Sequence, residues 1–175
     1  NHILTLEDLT HRVIPFLAAA DLVDAAAANE DHRQHALVRE ATALLKDRME
    51  TLSDAPHLMS FFLRDELEPY DDALLVPKKT TPEDALRGLE AALALLDEVD
   101  LDDEEATEAR FRALAEELGL KVGSLFMAIR VAITGRTQSP GLFGTMRVIG
   151  ENRVRRRITI AIEKLRTMVG VAASD

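Results

Sequence analysis

The sequence predicts an all-α fold, and three observations lead to that prediction. The 175 residues are 47% hydrophobic but only 4% aromatic, and their richness in alanine and leucine favours helix over sheet. Apolar residues recur at spacings of three and four along most of the chain, which is the periodicity of an amphipathic helix. No stretch of useful length alternates with the period of two that is typical of a β-strand.

Three helices are predicted in the first part of the chain. Thr5 is the expected N-cap of the first helix, whose apolar face consists of Leu6, Leu9, Val13 and Phe16. Pro15 is expected to kink or end this helix early, because proline removes a backbone donor. A second helix is predicted from about residue 31 to residue 49. Residues 53–56, with a proline near the first helical position, begin a short third helix.

Two histidines of the second predicted helix, His32 and His35, lie three residues apart and could in principle share a metal ion. No second cluster of ligand-type residues accompanies them in the sequence. We therefore interpret them as a solvated surface pair. The acidic run at residues 100–105 is interpreted in the same way, as the solvated start of a helix.

Residues 66–79 contain two prolines and break the helical pattern, so they are predicted to form a connector. Thr81 and Pro82 then begin a helix as its N-cap and first residue. Gly119 is expected to close the helix that follows the acidic run. The remaining helices are predicted at about residues 122–134, 142–149 and 152–168.

The net charge of −10 argues at first sight against a nucleic-acid partner, but the charge is unevenly distributed. Residues 1–120 carry 28 acidic and 11 basic side chains, whereas residues 121–175 carry 3 acidic and 10 basic ones. Such asymmetry is a hint of a local site for a polyanion. The alternative is a basic helix that only complements acidic neighbours, and charge alone leaves both interpretations open.

Several classes of protein are disfavoured by what the sequence lacks. There is no cysteine, which excludes disulfides and thiolate zinc sites and fits a reducing, cytoplasmic setting. No apolar run approaches the roughly 20 residues that span a bilayer, so no membrane association is expected. The chain opens with Asn1 and His2 and is expected to be a piece of a longer protein. Neither a phosphate-cradling glycine motif nor a metalloprotease motif occurs, so a free-standing enzyme is poorly supported.

Arginines are concentrated in the last predicted helix and in the two segments before it. A planar guanidinium donates hydrogen bonds in pairs and stays charged, so it suits phosphate. Phosphate contacts are therefore predicted for Arg136, Arg147, Arg153, Arg156 and Arg157. The scarcity of aromatic residues argues against modules that stack bases on an aromatic platform.

The same part of the chain resembles bacterial glutamyl-tRNA synthetases. The similarity lies in the sequences GLKVG at 119–123, AIRVAITG at 128–135, SPGLF at 139–143 and IGENRVRRR at 149–157. Weaker counterparts lie upstream in LEDL at 6–9, PFL at 15–17 and RMETL at 48–52. The resemblance therefore extends over nearly the whole chain, and its most specific part is residues 130–143.

The resemblance implies an α-helical cage of two small subdomains, at residues 1–75 and 76–175, that grips the anticodon loop of tRNA(Glu). It implies that Arg48 contacts the third anticodon base and Arg130 the middle base. The first base would be contacted by Ser139, Pro140 and Leu142.

The resemblance also implies a further partner, the catalytic half of the same polypeptide, which would use ATP and Mg²⁺. No cofactor, metal or catalytic residue is expected in this fragment, which alone would not be an enzyme, whereas its parent would be a glutamate–tRNA ligase. A second hypothesis from another class is a helical protein-interaction module that binds no RNA. It would dock a partner through its acidic surface or through exposed apolar stripes.

Overall fold

The computed structural model describes residues 4–174, and its side chains up to residue 170. This part of the chain contains eight α-helices and several 3-10 turns but no strand, which confirms the all-α prediction. Two compact units divide the chain, the first ending at Asp65 and the second beginning at Glu66. Residues 66–75, which the family resemblance assigns to the first subdomain, fall within the second of these units.

The first unit contains α1 (Leu6–Ala19), α2 (His35–Leu45) and α3 (Ala55–Leu63). Thr5 caps α1 as predicted: its hydroxyl accepts from the backbone N of Asp8, and the Asp8 carboxylate accepts from the backbone N of Thr5. The apolar core between the helices includes Val13, Leu17, Val38, Met59 and Phe62, each with no exposed surface.

Pro15 does not end α1, which continues to Ala19, so the expectation of an early end is wrong. Pro15 lies on the exposed side of the helix, whereas Ile14 and Leu17 beside it are buried. Burial of these apolar side chains stabilises the helix by more than the missing backbone hydrogen bond costs.

The second predicted helix is shorter than expected. α2 begins at His35 instead of near residue 31, and after Leu45 the chain tightens into a 3-10 turn, Lys46–Arg48. His35 is 4% exposed, so its interpretation as part of a solvated pair is wrong. His35 begins the helix and faces the first unit's core, whereas His32 lies in the preceding turn, where its Nδ1 accepts from the backbone N of Gln34 at 3.2 Å.

The second unit contains α4 (Pro82–Leu95), α5 (Glu104–Leu118), α6 (Val122–Thr134), α7 (Leu142–Ile149) and α8 (Glu151–Ser174). Helices α4, α6 and α8 pack against one another, and α5 and α7 pack beside them. The last two turns of α6 are almost completely buried, since Ile129 and Val131–Ile133 have no exposed surface. None of the helices within residues 4–174 is long and apolar enough to cross a membrane.

Candidate nucleic-acid interface

The loop between α6 and α7 begins where a glycine ends α6. Gly135 has φ 72°, in the left-handed region that favours glycine, and its N–H donates to the carbonyl of Val131 at 2.7 Å. An added Cβ would lie 3.2 Å from Cδ1 of Tyr70. The direction in which residues 136–141 leave the helix therefore depends on this glycine.

Arg130, on α6, is hydrogen-bonded to that loop. Its Nη1 donates to the carbonyl of Pro140 at 2.7 Å, to the carbonyl of Ser139 at 3.2 Å and to the Ser139 hydroxyl. Ser139 and Pro140 are both buried. A hydrogen bond with a charged donor is about twice as strong as a neutral one, so this guanidinium fixes the loop against α6.

The carbonyl of Pro140 is the centre of this arrangement. Besides Arg130, the hydroxyls of Ser139 at 3.1 Å and of Thr145 at 3.2 Å donate to it. On the other side of the loop, the Thr134 hydroxyl donates to the carbonyl of Arg130 at 2.6 Å and accepts from the backbone N of Arg136 at 3.1 Å. These contacts order the loop from both of its ends.

Thr134 and Thr145 were not singled out from the sequence. Both are buried and polar within helices that are otherwise apolar at those positions. Each is the lone threonine of its helix, in the last turn of α6 or the first turn of α7. Because a buried hydroxyl requires a hydrogen-bond partner, this pattern could have indicated both residues from the sequence.

Leu142 follows the loop as the first residue of α7 and is 4% exposed. It lines an open groove of about 390 Å³ together with the start of α5, and the polar lining of that groove is Glu104, Glu105 and Glu108. This groove is acidic, so it repels phosphate and offers carboxylate acceptors to N–H groups.

Arg48 lies in the first unit, at the end of the 3-10 turn that follows α2. It is exposed, and within the described residues it forms no ion pair. The chain just after it is ordered by Asp54, whose Oδ2 accepts from the backbone N of Glu50 at 3.0 Å and of Thr51 at 2.8 Å. The backbone hydrogen bond from Thr51 makes the largest contribution to holding the pKa of Asp54 below its ordinary value, and the one from Glu50 adds to it.

Many basic side chains of the second unit pair with its own acidic residues. Arg155 lies 2.7 Å from Asp97 and 2.8 Å from Glu151, and Arg147 lies 2.9 Å from Glu104. Lys164 and Arg166 similarly face acidic partners, at 3.0 and 3.7 Å. The positive charge of residues 121–175 is thus partly neutralised within the unit. These four basic side chains complement acidic neighbours, as the second interpretation of the charge asymmetry expects.

Arg157 is 3% exposed and donates to the carbonyl of Ile133 at 2.8 Å. That carbonyl is one of the last four of α6, which have no partner within the helix, so the arginine completes the end of α6 and complements its dipole. A phosphate on the surface cannot reach this guanidinium, which corrects the expectation that Arg157 contacts phosphate.

The other predicted phosphate contacts differ in their exposure. Arg156 is exposed on α8 and forms no ion pair among the described residues, whereas Arg153 and Arg136 are half-buried. Burial lowers the pKa of Arg136, and the nearby charge of Glu68 opposes that shift. The structure therefore brings Arg130, Ser139, Pro140 and Leu142 together, while Arg48 belongs to the other unit.

Comparison with known proteins agrees with this architecture. A family profile described as "Anticodon binding domain" matches residues 8–162. The chain is 40% identical over 167 residues to a glutamate–tRNA ligase of Roseiflexus sp. strain RS-1, covering 95% of this chain and 32% of that protein. It is 41% identical over 162 residues to the ligase of Roseiflexus castenholzii, covering 93% of this chain and 31% of that protein. The chain thus spans about a third of the length of these relatives.

A solved structure shares the fold. The crystal structure of a glutamate tRNA ligase from Elizabethkingia meningosepticum in complex with its amino acid matches with a TM-score of 0.73 and 20% sequence identity. The match covers 93% of this chain and 30% of that one.

Proposed function

The chain belongs to the anticodon-binding domain family, and from that premise we propose that it binds the anticodon loop of tRNA(Glu) as part of a glutamate–tRNA ligase. The ligase would attach glutamate to tRNA(Glu) in the cytoplasm, using ATP and Mg²⁺ in a catalytic part outside this chain. The observation that carries the proposal is the ordered loop that Arg130 holds at residues 139–140. An ordered loop suits the recognition of bases that are already splayed out of their stack.

The loop has a specific chemical character. The Pro140 carbonyl already accepts three hydrogen bonds, so what this residue offers a base is the apolar face of its ring. Leu142 is likewise apolar, and the Ser139 hydroxyl already accepts from Arg130 and donates to the Pro140 carbonyl. All three residues are buried in this structure, so our assignment of them to the first anticodon base, and of Arg130 to the middle base, requires the loop to open when the anticodon binds.

Arg48 suits the third anticodon base. Its guanidinium is exposed and outside any described ion pair, so it can donate to a base without first losing an internal contact. Cytosine presents the acceptors O2 and N3 on its pairing edge, whereas guanine presents donors at N1 and N2. An arginine that donates to this edge of the base therefore favours C over G at this position.

Contacts to the tRNA backbone are assigned to the arginines that remain accessible. Arg156 is exposed, and Arg136, Arg147 and Arg153 are partly so; Arg147 would have to exchange its contact with Glu104 for a phosphate. These contacts would supply affinity that falls with salt as counterions are released, without regard to sequence.

The test is a titration of the 175-residue chain at low salt with two anticodon stem-loops that differ only in C or G at the third anticodon base. We expect the wild type to prefer C by about tenfold or more, since a base contact is worth ~1–3 kcal/mol, and Arg48→Ala to lose the preference. Lys46→Ala is the matched control, because it removes one exposed positive charge from the same turn and should weaken both complexes equally.

Two outcomes would count against the proposal. Equal affinity of the wild type for both stem-loops would remove Arg48 from base reading. No RNA binding at low salt, together with salt-independent association with a protein, would instead support the protein-interaction module.

A further inference from the structure

A group of possible metal ligands lies in the first unit. Glu7 and His11 are one helical turn apart on α1, and His35 faces them from the start of α2. One potential ligand atom from each of the three residues lies within 4.8 Å of the others. We propose that these three side chains bind a divalent transition-metal ion, for which Zn²⁺ is the best match.

His35 is oriented as a metal-binding histidine would be. Its Nδ1 lies 2.8 Å from the carbonyl of Ala27, which can only accept a hydrogen bond, so Nδ1 carries the proton. Nε2 lies 3.4 Å from Oε2 of Glu7: it donates to this carboxylate when the imidazole is protonated, and it offers its lone pair to an ion when the imidazole is neutral. Histidine ligands typically donate their other ring N–H to a carbonyl in this way, which fixes the tautomer and the ring orientation.

The two oxygens of the Glu7 carboxylate face different partners. Oε1 accepts a hydrogen bond from Nε of Arg39, while Oε2 is on the side of His35. The carboxylate can therefore bind an ion through Oε2 and keep its contact with Arg39. Hydrogen-bonded carboxylates of this kind are usual among metal ligands, because the second contact fixes their orientation.

His11 completes a set of three ligands. Its ring centroid is 5.3 Å from that of His35, and its side chain is 42% exposed, so an ion has access from solvent. Oε1 of Glu30 lies 3.9 Å from Nε2 of His11, so this second carboxylate or a water could occupy a fourth position.

The ligand chemistry selects the class of metal. Two imidazoles and a carboxylate without a thiolate suit Zn²⁺ in tetrahedral geometry, and they also accept Ni²⁺ and Cu²⁺. Hard ions such as Ca²⁺ and Mg²⁺ prefer sets made only of oxygen ligands.

The bound ion would join α1 to the start of α2 and so close the segment that contains the 3-10 turn Ala25–Ala28. We assign it a structural role, because binding to the folded state alone stabilises that state. The site was missed from the sequence because His35 was paired there with its neighbour His32 instead of with α1.

The test uses the 175-residue chain, freed of metal with a chelator, in calorimetric titration with Zn²⁺ and in thermal unfolding with and without Zn²⁺. We expect one ion per chain and a higher Tm in its presence. His11→Ala removes an exposed ligand, so the variant should keep the metal-free Tm and lose at least about tenfold in affinity. His57→Ala, an exposed histidine of α3, is the matched control and should bind like the wild type.

Titration with Co²⁺ gives a second measurement that does not depend on stability. A tetrahedral site produces strong visible absorption, which should be present in the wild type and absent in His11→Ala. The proposal is overturned if the wild type binds no Zn²⁺, or if His11→Ala binds Zn²⁺ as the wild type does.

Discussion

Arg48 and Arg130 are both proposed to read anticodon bases, but the structure gives them opposite surroundings. Arg48 is exposed on a 3-10 turn and forms no described ion pair, whereas Arg130 donates to three acceptors of one loop. An arginine of the first kind is immediately available but must be ordered when it binds, which costs up to ~2 kcal/mol of side-chain entropy. An arginine of the second kind is already ordered, and the fold depends on it.

A substitution at either arginine can weaken RNA binding in two ways, by removing a contact with the base or by destabilising the fold. Removing Arg48 should affect recognition and leave the fold intact. Removing Arg130 should affect both, because buried acceptors of the loop lose their charged donor.

The largest expected effect is the destabilisation caused by Arg130→Ala. We expect the free energy of unfolding to fall by up to about 3 kcal/mol, because the carbonyls of Ser139 and Pro140 lose a charged donor. Arg48→Ala should stay within ~0.5 kcal/mol of the wild type, as is usual for exposed positions. Urea unfolding of both variants measures the difference, and equal destabilisation would show that the contrast between the two sites is wrong.

A smaller effect is expected where the loop leaves α6. Gly135→Ala should destabilise by about 2 kcal/mol, because φ 72° is strained for alanine and the added Cβ would lie 3.2 Å from Tyr70. Gly119→Ala is the matched control: φ is 70°, but no atom lies within 4 Å of the added Cβ, so about 1 kcal/mol is expected. The Tm values of Gly135→Ala and Gly119→Ala, each compared with the wild type, measure this difference in stability.

If the loop geometry matters for recognition, Gly135→Ala should also weaken stem-loop binding at low temperature, where the variant is folded. Gly119→Ala should bind like the wild type under the same conditions. Unchanged binding by Gly135→Ala would mean that recognition tolerates a displaced loop.

The smallest expected effect concerns the turn at Arg48 and its dependence on pH. The pKa of Asp54 is lowered in the folded state, so its contribution to stability is present above the ordinary carboxyl pKa. That contribution is lost as the pH falls through the lowered value. Urea midpoints measured between about pH 2 and pH 6 should therefore depend less on pH in Asp54→Asn than in the wild type.

Asp54→Asn should also reduce the preference for C over G by a few-fold at neutral pH, because the backbone after Arg48 is less ordered. Asp103→Asn, which alters the N-cap of α5 in the second unit, is the control and should leave the preference unchanged. A loss of preference in both variants would indicate a general effect of stability.

The sequence predicted the helices best where glycine marks their ends. The predicted bounds of α6 and α7 are confirmed at Val122–Thr134 and Leu142–Ile149, because Gly135 and Gly150 adopt positive φ just beyond them. The course of α1 through Pro15 could not be predicted in this way, since burial of its neighbours decides it. α8 runs to Ser174, beyond the predicted end near residue 168.

The candidate site was less predictable than the helices. The family resemblance assigned Arg130 and the Ser139–Leu142 turn to neighbouring bases, but the hydrogen bonds between them depend on how the loop folds back. The burial of Arg157 and the pairing of Arg147 and Arg155 with acidic residues depend on contacts between helices. No spacing within one segment reveals such contacts.

Arg157 has a consequence for the alignment of α8 on α6. Arginine cannot discharge by losing a proton at ordinary pH, so its buried charge must always meet an acceptor. If α8 slid along α6 by one helical turn, about 5.4 Å, the guanidinium would lose the Ile133 carbonyl and its buried charge would be left without this acceptor. A purely apolar helix surface would tolerate such a slip more easily, so this arginine favours one register of the two helices over its neighbours.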